Sequence, residues 1–91
     1  MPKLPAGTRF VKGPGFKKYT AIIPDHGRVS FGDKRYQQFK DSVPKRLGGG
    51  LYSNKDHGDA KRRLNYRRRH GAQGYYKKPL TPAWFSWFYL W

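Results

Sequence analysis

Six cations stand within nine residues, at Lys61, Arg62, Arg63, Arg67, Arg68 and Arg69. Five of the six are arginine, whose planar guanidinium pairs bidentately with carboxylate or phosphate and is less costly to desolvate than an ammonium. The chemistry on offer is non-covalent recognition of an oxyanion. Leu64, Asn65 and Tyr66 interrupt the run, so it reads as an ordered, partner-binding helix rather than a solvated basic tail. Asn65, Tyr66 and His70 sit in no groove-reading motif. Phosphate and protein carboxylate therefore both stay open as the anion.

A catalytic site would need a nucleophile with an activating base, paired carboxylates or a metal cluster. The chain has no cysteine and no glutamate, and His26, His57 and His70 lie far apart with no ligand spacing. It reads as noncatalytic, without a metal or cofactor. Gly48-Gly49-Gly50 lacks the Lys-Ser/Thr of a phosphate loop and reads as a flexible joint.

Twenty Lys and Arg against five acids leave a net charge of +15 over 91 residues. Such a charge steers association with polyanions and says nothing of fold. All five acids are Asp, at 25, 33, 41, 56 and 59, a residue that favours turns and helix starts, so structural roles are expected for them. One small domain of this length buries a limited fraction of its surface, and a partner is expected to complete its core. The absence of cysteine fits a reducing compartment. The opening residues lack the apolar stretch of a secretory signal, and no run approaches the roughly 18 apolar residues that span a bilayer. Secretion by that route and membrane spanning are not expected.

The elements that must position the cations read as a small α+β fold. Residues 1–16, rich in Pro and Gly, read as an extended arm; residues 17–91 form a single small basic domain. Within it, 17–31 is one β-hairpin around Pro24-Asp25-His26-Gly27, with Tyr19, Ala21 and Ile23 on one face. Asp33 is expected to cap a short helix that carries Tyr36 and Phe39 toward a core. The basic helix spans about 56–70, with Asp56 or Asp59 near its start, Gly71 as its stop, and a narrow apolar stripe of Ala60 and Leu64. Without counter-charge it should fray, since pairs such as Arg63 and Arg67 repel.

The aromatic segment 81–91 begins Thr81-Pro82, an N-cap followed by proline at the first helical position. Trp84, Phe85, Trp87, Phe88, Tyr89 and Trp91 surround such a helix, which reads as an apolar anchor. Packing against the hairpin, docking into another protein and insertion at a membrane interface all stay open for it.

The ordered blocks Lys17-Lys18-Tyr19-Thr20, Arg28-Val29-Ser30-Phe31-Gly32, Leu51-Tyr52-Ser53, His57 through Gly71 and Thr81-Pro82-Ala83-Trp84-Phe85 together resemble a family of small basic proteins of nucleocytoplasmic large DNA viruses, the giant-virus group, which carry only a domain of unknown function. The resemblance covers roughly residues 17–91. It implies a viral context, in which double jelly-roll shells are lined by small minor capsid proteins above an internal membrane, and it carries over no functional residues.

The expected role is thus a virion structural protein, a minor capsid or cement protein on the inner side of the capsid shell, found in host cytoplasm or virus factory before assembly. Its partners would be major or other minor capsid proteins, with ordering on assembly. The rival reading is a nucleic-acid-binding protein that condenses the viral genome by phosphate neutralisation; peripheral membrane attachment is the third.

Overall fold

Pro24-Asp25-His26-Gly27 turns the chain as its composition demands. In the computed structural model, which describes residues 3–91, three strands, β1 (Arg9–Lys12), β2 (Tyr19–Ile23) and β3 (Gly27–Phe31), form an antiparallel sheet in the order β1-β2-β3. Between β2 and β3, Asp25 and Gly27 take φ of 61° and 112°, and the His26 N–H donates to Ile23 O at 3.1 Å. Proline followed by a left-handed residue is the type II pattern. The register Tyr19↔Phe31 and Ala21↔Val29 places Tyr19, Ala21, Ile23 and Phe31 together in the core.

The extended arm expected over residues 1–16, of which 1 and 2 lie outside the described residues, is corrected. Arg9–Lys12 pairs with β2, Phe10 facing Ala21, and Phe10 is 3% exposed. Its ring meets Tyr19, Phe31 and Phe85 edge-on at 5.9 to 6.2 Å. Four residues are too few to show a period, and the partner that makes them a strand lies beyond the Gly13–Lys17 turn.

Two helices complete the α+β fold, α1 (Ala60–Ala72) and α2 (Pro82–Tyr89). Thr81 caps α2 by accepting from the Trp84 N–H. Trp84, Phe85, Trp87 and Tyr89 are buried within the chain itself, with Phe85 stacked on Phe31 at 5.0 Å. Of the three readings of the aromatic segment, the structure takes packing against the sheet. Its role as an anchor on another molecule is corrected: Phe88 and Trp91 are half-buried and the other four are core. Fully burying each such ring is worth roughly 2 to 3 kcal/mol, which is why the small sheet recruits them. No helix among the described residues is long and apolar enough to cross a membrane.

The segment between β3 and α1 is irregular but tied down. No helix follows Asp33; its carboxylate instead accepts from the Arg35 N–H, Nε and Nη2 at 2.9, 3.1 and 2.8 Å. These bonds hold the carboxyl near 2, below its usual value. Tyr36 stays 64% exposed. The Gly48-Gly49-Gly50 joint is also corrected, because it is packed: a Cβ on Gly48 would lie 2.0 Å from Phe10 O, and one on Gly49 1.9 Å from Val43 O. Glycine is there for close backbone approach.

A buried polar network fixes this segment to the sheet. Lys18 Nζ donates to Gln38 Oε1, and Gln38 Nε2 donates to Asp56 Oδ1 and Tyr52 O at 2.6 and 2.7 Å. Asp41 accepts from Tyr19 OH, Tyr52 N–H and Val43 N–H. Buried polar groups that satisfy one another in this way specify one arrangement of the chain.

Candidate anion-binding interface

Helix α1 starts where its cap dictates. The Asp59 carboxylate accepts from the Lys61 and Arg62 N–H groups at 2.9 and 3.2 Å, and His57 Nδ1 accepts from the Asp59 N–H at 2.9 Å. The expected stop at Gly71 is corrected: the helix runs through it to Ala72, with Gln73 as C-cap. Gly71 serves instead as a point of close approach, since a Cβ there would stand 3.3 Å from Trp87 Cη2.

The side of α1 that packs is not the expected apolar stripe. Ala60 and Leu64 are exposed, Leu64 by 50%; the packed side carries Arg63, Tyr66, Arg67 and His70, spaced i, i+3, i+4 and i+7. Arg63 Nε donates to Trp91 O at 2.7 Å, and Arg67 Nε and Nη2 donate to the same oxygen at 3.3 and 3.1 Å. Each guanidinium also lies over a ring, Arg63 over Phe39 at 4.9 Å and Arg67 over Trp87 at 4.7 Å. Burial and the neighbouring Arg63 push the Arg67 pKa down, and burial pushes the Tyr66 phenol up. Arginine replaces leucine on this face because its stem and flat head cover aromatic surface.

The opposite side of α1 holds the remaining cations. Lys61, Arg62, Asn65, Arg68 and Arg69 are all exposed, and at 100° per residue they fall within an arc of about 120° along roughly 12 Å of helix. Of the six predicted site cations, the fold therefore groups four outward and turns Arg63 and Arg67 inward.

No carboxylate answers the outward group. The one ion pair among the described residues joins Arg35 to Asp33, while Asp41, Asp56 and Asp59 are bound to main-chain N–H groups and side chains of the fold. The structural role expected of these acids holds. Arg62 Nη1 reaches only the neutral Gln37 Oε1, at 3.0 Å. An unopposed, arginine-rich strip of this kind suits polyanion recognition.

His26, His57 and His70 occupy a hairpin turn, the entry to α1 and the packed side of α1, in three separate places. Among the described residues no group of three or more His, Cys, Asp or Glu stands where it could hold a metal ion. Burial and Arg62 lower the His57 pKa.

Sequence reasoning missed Lys40 and Ser42, which line a recess together with Arg63 and Arg67. They lie about twenty residues before the basic run, and no local pattern connects the two. No family model, curated protein or solved structure matches the chain.

Proposed function

We propose that the chain is a noncatalytic virion structural protein of a large DNA virus, a minor capsid or cement protein that seats the outward side of α1 on an acidic surface of neighbouring capsid proteins. The observation that carries the reading is the strip Lys61, Arg62, Arg68 and Arg69, exposed on a helix with no acid opposite it. The resemblance to giant-virus proteins supplies the viral setting. A domain whose aromatic core is already closed contributes a preformed surface, which lowers the ordering cost of assembly.

The same strip supports a second reading, condensation of the genome by phosphate contacts. Four cations along roughly 12 Å would give a log–log salt slope near −4 on duplex DNA, about −0.9 per contact. Base preference would be slight, since backbone contacts position without reading sequence.

One experiment separates the two. Virus carrying Arg62→Glu, Arg68→Glu and Arg69→Glu, and the unmodified virus, are fractionated into genome-free shells and nucleoprotein core, and the chain is quantified in each after a moderate-salt wash. The capsid reading expects the unmodified chain with the shells and the variant absent from particles although folded when purified. Normal occupancy of the variant in shells refutes it, and recovery of the unmodified chain with the core favours genome condensation.

A further inference from the structure

Behind α1, on the side away from the exposed strip, lies a recess of about 250 Å³ lined by Phe39, Lys40, Ser42, Arg63, Arg67 and Trp91, among others. We propose that this recess is a second anion site, built to hold the tetrahedral oxyanion of a phosphoryl group. The inference rests on residues other than the exposed strip and stands or falls independently of the capsid reading.

The donors are placed and unspent. Arg63 uses only Nε, and Arg67 only Nε and Nη2, on Trp91 O. Both terminal nitrogens of Arg63 and Nη1 of Arg67 have no partner among the described residues, and neither do Lys40 Nζ and Ser42 Oγ. The Phe39 and Trp87 rings beneath the guanidiniums restrain their planes. Lys40 and Ser42 are positioned through their main chain: the Lys40 N–H donates to Leu90 O at 3.1 Å and the Ser42 N–H to Tyr89 O at 2.8 Å. The two restrained guanidiniums spend little entropy on capture, and the exposed Lys40 side chain is free to close on the anion.

The charge is equally one-sided. Asp41, between Lys40 and Ser42 in sequence, faces the other way, its carboxylate accepting from Tyr19 OH at 2.5 Å in the core. Three cations thus face at most the single negative charge that a carboxylate at Trp91 would carry. Arg63 and Arg67, one helical turn apart, repel each other, a stress that adds to burial, the larger cause, in pushing the Arg67 pKa down. An incoming anion relieves it.

A phosphoryl group fits better than a carboxylate on two counts. Its charge at neutral pH is close to −2 as a monoester, which matches the excess, and its tetrahedral oxygens can meet donors arriving from α1 on one side and from Lys40 and Ser42 on the other. A carboxylate carries a single negative charge and takes its donors near one plane, so it matches neither the excess charge nor the two-sided approach as well. The phosphoryl group is free phosphate or the terminal monoester of a nucleic acid; a backbone diester, with one charge, is the weaker fit.

The test uses the whole chain, following thermal unfolding and tryptophan fluorescence in sodium phosphate against sodium chloride at equal ionic strength and pH 7. Phosphate is expected to raise the unfolding midpoint saturably above chloride. Lys40→Ala with Ser42→Ala should weaken the apparent phosphate affinity by about tenfold or more, the loss of charge-assisted bonds, and leave the midpoint in chloride unchanged, because neither side chain bonds within the chain. Arg62→Ala with Arg69→Ala should leave phosphate affinity as it is. Identical behaviour in the two salts overturns the proposal, as does loss of the phosphate effect in the outward variant but not in the recess variant. Oligothymidylate with and without a 5′-phosphate then assigns the source: a gain only with the 5′-phosphate indicates a monoester, equal gains a backbone diester, and no gain from either the free ion.

Discussion

The Tyr66 ring lies flat on the Trp91 indole, their centroids 4.3 Å apart and their planes 4° from parallel. This stack explains how a helix of repelling cations keeps its shape. Helix α1 buries no residue completely, so aliphatic packing cannot hold it; the Tyr66–Trp91 pair and the two arginines bonded to Trp91 O take that place. The fraying expected of an isolated basic helix is countered by contacts on its inward side.

Tyr66→Ala should release α1. The expected loss is about 2 to 3 kcal/mol of stability, with a fall in far-ultraviolet helical signal larger than one residue accounts for. Tyr66→Phe keeps the ring and should stay within about 0.5 kcal/mol of the parent. Equal unfolding midpoints for the alanine variant and the parent would show that the stack carries no weight.

Lys18 gives the protein an alkaline pH dependence. The residue is 2% exposed and its amine meets a neutral amide rather than a carboxylate, so burial lowers its pKa from 10.5 to about 8. Between those values the unfolded chain binds the extra proton, and stability should rise with pH from about 8 by up to about 1.4 kcal/mol per unit. Above 10 the slope should reverse, because burial and Asp41 hold the Tyr19 phenol protonated in the fold while the unfolded phenol ionises. Lys18→Met should flatten the rise between pH 8 and 10 in denaturant titrations. An unchanged slope in that variant would assign the effect elsewhere.

Gly48 should tolerate no side chain. With φ at 105° and Phe10 O in the way of any Cβ, Gly48→Ala is expected to cost on the order of 3 kcal/mol or more and to loosen β1. Gly15→Ala, at φ 54° with open space around it, should cost only the left-handed strain of about 1 to 2 kcal/mol. Hydrogen exchange at Phe10 and Val11 would report the difference, and similar values for the two variants would contradict the packing of the Gly48 main chain on β1.

What was legible in the sequence is what local chemistry controls. The Pro24–Gly27 turn and the Thr81-Pro82 start of α2 each act within a few residues and form as read; for α1 the sequence placed Asp56 or Asp59 near the start, and the structure makes Asp59 the cap. Strand β1 was hidden because Phe10 earns its place from Tyr19, Phe31 and Phe85, all distant in sequence. The absent helix after Asp33 has a local cause that propensity overlooked, the carboxylate turning back on Arg35. The inward side of α1 was misread since hydrophobic projection scores arginine as outward; it ignores a guanidinium lying on Phe39 or Trp87. Tyr66 and His70, three and seven residues after Arg63, were the available hint. The recess could not be read at all, because its second half comes from a loop placed by Leu90 and Tyr89.

The way the aspartates are employed reaches beyond the fold. Asp33, Asp41, Asp56 and Asp59 are engaged with groups of their own chain, which leaves Asp25, at the tip of the β2–β3 turn, as the acid without a side-chain bond among the described residues. Two copies brought together would meet cation against cation almost wherever they touched, at +15 apiece. Crowding such molecules side by side calls for counter-charge between them, from salt or from an anionic surface, so on such a surface the number bound should follow the charge of the surface and fall as salt rises.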